Sequence, residues 1–450
     1  MNIEQVKEVY FLGIGGIGMS ALARFFKSRG CSVFGYDRTS TPLTVELEAE
    51  GMKIHYEEDV DLIPDGVDLV VYTPAIPKKH AEYQFFLENG YPILKRAQVL
   101  GLISAEFKTI GIAGTHGKTT ISTLTAHLLN QSPKGVNAFL GGISKNFQSN
   151  LLLAPESNWI VVEADEFDRS FLHLFPQIAV ITAVDADHLD IYKNIPALKE
   201  SFTQYTGQIK PGGQLIIKKG ISLNVYQRPG LKVYTYSIDQ KADFGIQNLR
   251  IKGAHYIFDL ILCDTVIRDV ELGLPGLYNV ENAIAASAAA WLAGATREEI
   301  RKGLLSFSGV NRRFDIRINR NDLVYIDDYA HHPEEIKACI NSVKHLYPDK
   351  KITGVFQPHL YTRTRDFADD FARSLELLDD IILLEIYPAR ELPIEGVNSQ
   401  MLLNKINKSS KRICQKDELI KVLQTLKPEL LLTMGAGDID QFVKPIEEAL

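Results

Sequence analysis

Cysteine is scarce and scattered in this sequence. The 450 residues include four, Cys31, Cys263, Cys339 and Cys414, at spacings that suggest neither a zinc site nor a disulfide framework. The pattern fits reduced, buried thiols. Positive charge is not in excess: 49 Lys and Arg stand against 56 Asp and Glu, a net charge of -7, which argues against a general nucleic-acid binder. No uninterrupted apolar run is long enough to span a bilayer. The opening Met-Asn-Ile-Glu-Gln-Val-Lys-Glu is too charged for a secretory signal. These absences predict a cytoplasmic protein with no nucleic-acid and no membrane partner. What is present is an ordinary globular composition, 45% hydrophobic and 23% charged, in a chain longer than one core usually serves. Two to four domains are expected.

The most informative stretch is Thr109-Ile110-Gly111-Ile112-Ala113-Gly114-Thr115-His116-Gly117-Lys118-Thr119-Thr120. An apolar run ends at Ala113, a glycine turn follows, and Ile121, Leu124, Leu128 and Leu129 then recur at helical spacing. Strand, glycine turn and helix together make a phosphate loop. Glycines let backbone N–H groups converge on phosphate oxygens, and the helix N-terminus adds partial positive charge. Lys118 can reach the outer phosphates, and the Thr119 hydroxyl can ligate Mg²⁺. The loop is a compact variant, since Ile112 stands where the common motif has glycine. An ordinary β–α turn with a surface lysine is the competing explanation.

Earlier in the chain, the strand Val9 to Leu12 leads into Gly13-Ile14-Gly15-Gly16-Ile17-Gly18, a helix, and a strand ending at Asp37. This is a dinucleotide-type fingerprint, compatible with NAD, another nucleotide, or merely a tight turn. Thr73-Pro74-Ala75-Ile76 leaves the end of a further strand, Leu69 to Tyr72, where ligand loops sit in open α/β sheets. After the phosphate loop, the strand Trp159 to Val162 runs into Glu163-Ala164-Asp165-Glu166, and an acid there is where Mg²⁺ needs a partner. Asp185 to Asp190, including His188, follows another strand end, as a second cation site or a capped acidic loop. Short alternating runs from Gln214 to Leu274 predict an antiparallel insertion. Asn279 and Asn282 lie at a helix start, to read an adenine edge or to cap the helix. Arg312-Arg313 occupies a linker. Four later strands then end in charged or glycine-rich loops, beginning at Asp327, Gln357, Tyr387 and Met434. Strand ends on one edge of a parallel sheet make a ligand site. These features alone are compatible with a kinase, an ATP-dependent ligase or a motor; a dehydrogenase and a nucleotide-gated regulator are the rivals from other classes.

The ordered motifs resemble the Mur ligase family, which builds the peptide of the bacterial wall precursor. Gly114 to Thr120, Glu163 to Glu166, Asp187-His188-Leu189-Asp190, Asn279-Val280-Glu281-Asn282-Ala283 and Arg312-Arg313-Phe314-Asp315 are similar to its ATP and metal motifs. Gly13 to Ser20, Asp328-Tyr329-Ala330-His331-His332-Pro333 and Phe356-Gln357-Pro358-His359 look like the branch that joins L-alanine to UDP-N-acetylmuramate. The compact Asp168 to Leu174 favours that branch over the one that reattaches a recycled tripeptide. Tyr278 departs from the histidine of many members, and Leu360 from the arginine of some.

The resemblance implies an α/β chain of three domains. Residues 1–105 would be a Rossmann-like UDP-sugar domain, 106–310 a P-loop ATP domain with the antiparallel insertion, and 311–450 a Rossmann-like amino-acid domain. Gly15, Ile17, Gly18, Met19, Ser20, Asp37, Thr73, Ala75 and Ile76 would hold the sugar nucleotide, with no nicotinamide. Gly114, Thr115, His116, Gly117, Lys118, Thr119, Thr120, Asn279 and Asn282 would hold ATP; Thr119 and Glu163 would hold one Mg²⁺, and His188 a second. Arg313 and Asp328 would meet ATP on domain closure. His331, Arg363 and Arg365 would receive L-alanine. Lys118, His188, Arg313, Asp328, His331 and Arg363 would be the catalytic set, acting through an acyl phosphate and releasing ADP and phosphate. A monomer or weak homodimer is expected.

Overall fold

The computed structural model describes residues 3–186, 189–252, 255–389 and 391–450. Among these residues the strands form three sheets, of five, ten and six strands. The first sheet runs, edge to edge, Lys53–His55, Ser32–Tyr36, Glu8–Leu12, Leu69–Tyr72 and Ile93–Lys95, all parallel. Val9, Tyr10, Phe11 and Leu12 are fully buried, as a parallel strand covered on both faces requires. The chain steps outward from Glu8–Leu12 in one direction, then returns on its other side with Leu69–Tyr72. That reversal is a topological switch point, and it opens a crevice beyond Leu12 and Tyr72.

In the second sheet Gln214–Lys218, Ile178–Ile181, Lys108–Ala113, Trp159–Ala164 and Asn137–Ser144 lie side by side and parallel. Ser149–Leu152 closes one edge antiparallel to Asn137–Ser144. The expected antiparallel insertion is corrected at its start. Gln214–Lys218 and Lys232–Tyr236 extend the parallel sheet, paired in parallel with Ile178–Ile181 and with each other. Leu215, Ile216 and Ile217 are buried together; strands this short carry too little periodicity to reveal their direction. Only the later strands can turn back tightly: His255–Leu262 and Thr265–Leu272 are joined by Cys263 and Asp264 alone, too few residues for a parallel crossover.

By its internal contacts the chain divides into two compact units: Met1–Arg250 with Ile257–Gly273 and Glu281–Ser308, and Ile251–Tyr256 with Leu274–Val280 and Gly309–Leu450. The first unit contains two sheets because they share apolar packing. One core runs from Val9, Phe11 and Phe25 through Phe139 and Ile160 to Ala179 and Leu215. The Phe25 ring lies 5.7 Å from that of Phe139. A polar stitch accompanies it. Asn150, fully buried, donates to the Ile17 carbonyl at 2.6 Å and to Ser20 Oγ at 2.9 Å, and accepts from Arg24 at 2.7 Å. The start of the Ile17–Ser28 helix is therefore held by a residue of the second sheet.

The second unit contains a six-stranded sheet in the order Asp315–Asn319, Val324–Asp328, Leu430–Met434, Ile352–Phe356, Asp380–Leu383 and Lys411–Ile413. The first strand is antiparallel and the rest are parallel. Apolar layers cover both faces, one around Ile336, Ile340 and Phe371, the other around Leu419, Leu423 and Ile446. No helix among the described residues is long and apolar enough to cross a membrane.

Asn150→Ala removes three hydrogen bonds and strands the Arg24 and Ile17 groups that made them. We expect it to lower the urea midpoint of the first unit, by an amount corresponding to about 1–3 kcal/mol. An unchanged midpoint would show that the stitch is not a stabilising contact.

Candidate functional site

The phosphate loop lies between the strand Lys108–Ala113 and the helix Lys118–Leu129, whose N-cap is Gly117. Every residue of that helix from Thr119 onward is buried, and its hydroxyls fold back on it: Thr123 Oγ1 donates to the Thr119 carbonyl and Thr125 Oγ1 to the Ile121 carbonyl, both at 2.7 Å. At Gly114 φ is +140°, and a Cβ there would lie 2.0 Å from Thr182 Oγ1, so only glycine fits. Thr182 in turn donates to the carbonyls of Ala113 and His116. Thr115 N–H donates to the Ala183 carbonyl at 3.1 Å, and the His116 ring stands 3.4 Å from Asp185. Thr115, Thr119 and Thr120 are all buried.

Lys118 is the electrostatic centre. Its ammonium donates to the Gly114 carbonyl at 2.7 Å and pairs with the buried Glu166 at 2.8 Å. Burial opposes the charge on Lys118, but Glu166, Asp165 and Glu163 outweigh it and hold the lysine protonated. Burial pushes the Glu166 carboxyl up against the pull of Lys118. Tyr192 donates to the Glu166 carbonyl.

Glu163 is the penultimate residue of the neighbouring strand, in register with Ile112 of the loop strand. The Thr119 hydroxyl and the Glu163 carboxylate are hard oxygen donors, and Mg²⁺ is commonly bound by one or two such groups together with phosphates. This donor set fits the ion. Among the described residues no group of three or more His, Cys, Asp or Glu could hold a metal unaided. His188, expected as a second ligand and as a catalytic residue, lies outside the described residues, as does Asp187.

The glycine turn at the first sheet's switch point brings its expected residues together. Gly13 and Ile14 donate to the Tyr36 carbonyl, Gly15 to Asp37 Oδ2 at 2.8 Å, and Ile76 to the Thr73 carbonyl around Ala75. Asp37 thus braces the turn. Gly16, Ile17, Gly18, Met19 and Thr73 line a cavity of about 270 Å³ that also reaches Gly141, Glu163 and Asp165. Ser20 bonds to the Ile17 carbonyl on the helix behind it.

In the second unit, Asp328 is buried and engaged. It accepts from the N–H groups of Phe314 and Ala330, both at 2.7 Å, and from Tyr278 Oη at 3.2 Å. Burial pushes its carboxyl up to about 6, against Arg313 and those two N–H groups. Arg312 is tied to Asp327 at 3.1 Å and to the Gly435 carbonyl at 2.6 Å, while Arg313 lies over the Tyr329 ring at 4.7 Å. Asn279 donates to the Pro275 carbonyl at 2.6 Å. Asn282 belongs to the first unit, where its Oδ1 lies 2.9 Å from the point a Gly117 Cβ would occupy.

His331, His359 and Arg363 gather at one strand edge. The histidine rings are 6.1 Å apart, and Arg363, mostly buried, is 3.4 Å from His359 Nδ1. His331 Nδ1 also lies 3.3 Å from Glu335. Arg365 does not join them. Two positions along a helix point apart, and Arg365 pairs with Asp366 at 2.7 Å beside an open cavity of about 610 Å³. Glu166, Asn150 and His359 are outside the expected set. Glu166 and His359 stood inside quoted motifs, whereas a lone Asn150 in a strand gives no signal.

Family models described as "Mur ligase family, catalytic domain", "Mur ligase middle domain" and "Mur ligase, glutamate ligase domain" match residues 8–108, 112–290 and 312–437. The chain is 52% identical to a protein of Parabacteroides distasonis, over 100% of its own length and 98% of the relative's. It is 53% identical to one of Phocaeicola vulgatus, covering 99% and 98%. Both relatives are named UDP-N-acetylmuramate–L-alanine ligase. Among solved structures, the UDP-N-acetylmuramate-alanine ligase of Thermotoga maritima superposes with a TM-score of 0.83 at 27% identity, over 99% of each chain. A murein peptide ligase of Psychrobacter arcticus superposes at 0.74 and 23%, over 98% of each, which bears on the fold.

Two outcomes follow from these surroundings. Lys118→Ala should abolish binding of a fluorescent ATP analogue and lower the melting temperature; adding Glu166→Gln should restore the melting temperature but not the binding. Full analogue binding by Lys118→Ala would refute the loop assignment. His127, on the same helix, is buried 2.9 Å from Ser306, and burial pushes its pKa down to about 4. Its folded pKa lies below the unfolded value, so its neutral form supports the fold above about pH 6.5 and that support is lost as pH falls toward 4. His127→Phe should flatten the melting profile across that window.

Proposed function

The chain belongs to the Mur ligase family, and on that premise we propose that it joins L-alanine to the lactyl carboxylate of UDP-N-acetylmuramate, driven by conversion of ATP to ADP and phosphate. The observation that carries this reading is the cavity shared by the glycine turn and Glu163. A sugar nucleotide whose diphosphate sits against Gly16 to Met19 projects its sugar toward the acid beside the phosphate loop. The carboxylate to be activated and the triphosphate that activates it then meet in one compact unit.

The chemistry follows from charge. Transfer of the γ-phosphoryl group to a carboxylate joins two anions, so charge must be neutralised where it accumulates. Lys118, kept protonated by three acids, supplies one fixed cation. Thr119 and Glu163 would hold Mg²⁺, which supplies further neutralisation of the phosphates. The resulting acyl phosphate is attacked by the amine of L-alanine; the tetrahedral adduct expels phosphate, and the amine loses its proton. Arg363, beside His359, is the cation for the amino-acid carboxylate; Arg365, exposed and paired with Asp366, is a weaker candidate. Arg313 and Asp328 act toward ATP in the same reading. The reaction is placed in the cytoplasm, where ATP is available.

The decisive measurement is phosphate release from ATP and UDP-N-acetylmuramate with L-alanine, L-glutamate or a tripeptide as the third substrate. Release with L-alanine alone is expected, and equal release with the tripeptide would overturn the assignment. Arg363→Ala should raise the KM for L-alanine by about ten-fold or more, as loss of a charge-assisted contact does, with a smaller change for ATP. Equal changes would remove Arg363 from the alanine site.

A further inference from the structure

Tyr387 and Glu391 follow the strand Asp380–Leu383 and take no part in the reaction as drawn above. Both reach back to the segment that carries Arg363. Tyr387 N–H donates to the Pro358 carbonyl at 2.9 Å, and the Tyr387 carbonyl accepts from Leu360 N–H at 3.0 Å. The rings of Tyr387 and His359 stack with their centres 5.8 Å apart. Thr362 donates its N–H to Glu391 Oε2 at 2.9 Å and its hydroxyl to Glu391 Oε1.

These ties matter because the helix they hold, Tyr361–Asp366, cannot hold itself. It has six residues. Isolated helices shorter than roughly 12 residues are marginal in water, and the first N–H groups of any helix have no acceptor within it. Most helices meet that need with a Ser, Thr, Asp or Asn at the N-cap, which accepts from the second or third helical N–H. Here the N-cap is Leu360, whose side chain has no acceptor, at a φ of +70° that favours glycine. Glu391 supplies the missing acceptor from 29 residues away, at the second helical position, Thr362. Arg363 is the next residue. It is 8% exposed and lies 3.4 Å from His359 Nδ1, whereas Arg365 on the same helix turns out to Asp366. The roll of one short helix decides which arginine faces the histidine.

We propose that Glu391 is a positioning residue for alanine capture: by capping the helix in place of Leu360, it holds Arg363 where the amino-acid carboxylate binds. This rests on the reading of Arg363 as the cation for that carboxylate. Both Glu391 oxygens are turned to Thr362, so Glu391 acts through Arg363 and not on the substrate.

The test is phosphate release by the full chain at varied L-alanine, with ATP and UDP-N-acetylmuramate saturating. Glu391→Ala should raise the KM for L-alanine about five-fold, as loss of a helix cap does, and change the KM for ATP by less than about two-fold. Glu391→Gln should recover most of that loss, because its amide accepts from the Thr362 N–H and donates to the hydroxyl. Added to Arg363→Ala, Glu391→Ala should raise the KM no further, since a residue acting through Arg363 has nothing left to position. If Glu391→Ala does not fold, Thr362→Val decides: it removes one of the two bonds and should raise the KM for L-alanine by a smaller factor, and a parent-like KM there overturns the inference. A parent-like KM in Glu391→Ala, with that of Arg363→Ala raised, overturns the role of Glu391 alone. So does a Glu391→Gln as impaired as Glu391→Ala, because the carboxylate would then act by its charge. So does a double variant whose KM is the product of the two single effects. A parent-like KM in Arg363→Ala removes the proposed alanine site and this inference together.

Discussion

A buried ammonium–carboxylate pair sits at the centre of the first unit. In the proposed reaction Lys118 must be charged, yet its surroundings exclude most water. Glu166, at 2.8 Å and itself buried, makes that charge tolerable. Such a pair contributes little net stability, because desolvation of both ions offsets their attraction; removing one partner is the costly event. The pair therefore binds two elements by penalty more than by gain: the loop after Lys108–Ala113 and the segment after Trp159–Ala164. The parallel pairing of these two strands, Ile112 opposite Glu163, sets the distance at which the penalty is avoided.

The same economy of position recurs in each sheet. Parallel strands end together, so loops that are remote in sequence share an edge. Thr73 meets the turn at Gly13 because Leu69–Tyr72 lies beside Glu8–Leu12. His359 reaches the Asp328–His331 segment's side of the second unit because Ile352–Phe356 and Val324–Asp328 both flank Leu430–Met434. Gln357 secures that edge: fully buried, it donates to Asp438 at 2.7 Å and accepts from the Ile439 N–H at 2.9 Å. The strand-end loops are thus anchored to one another by buried polar groups.

Much of this was legible in the residues. An apolar run, a glycine turn and a helical repeat identify the phosphate loop without any tertiary information, because each depends on neighbours within a few positions. The strand ending at Glu163 and the glycine fingerprint were equally local. The direction of Gln214–Lys218 and Lys232–Tyr236 was not, since runs of five residues carry too little periodicity to reveal their pairing. Arg365 and Arg363 also read alike in sequence; two residues of separation on a helix turned one inward to His359 and the other out to Asp366.

Chain order and residue type alone determined the α/β class, the phosphate loop with its acid, and the resemblance to the Mur ligases, since these rest on short-range backbone geometry and on motifs kept in order. Tertiary structure decided which groups are partners across long separations. Lys118 with Glu166 and Asn150 with Ile17 are 48 and 133 residues apart. No local propensity encodes such pairs; they exist because sheet pairing and a shared apolar core carry distant segments to one place, where burial makes each unmatched charge or amide costly.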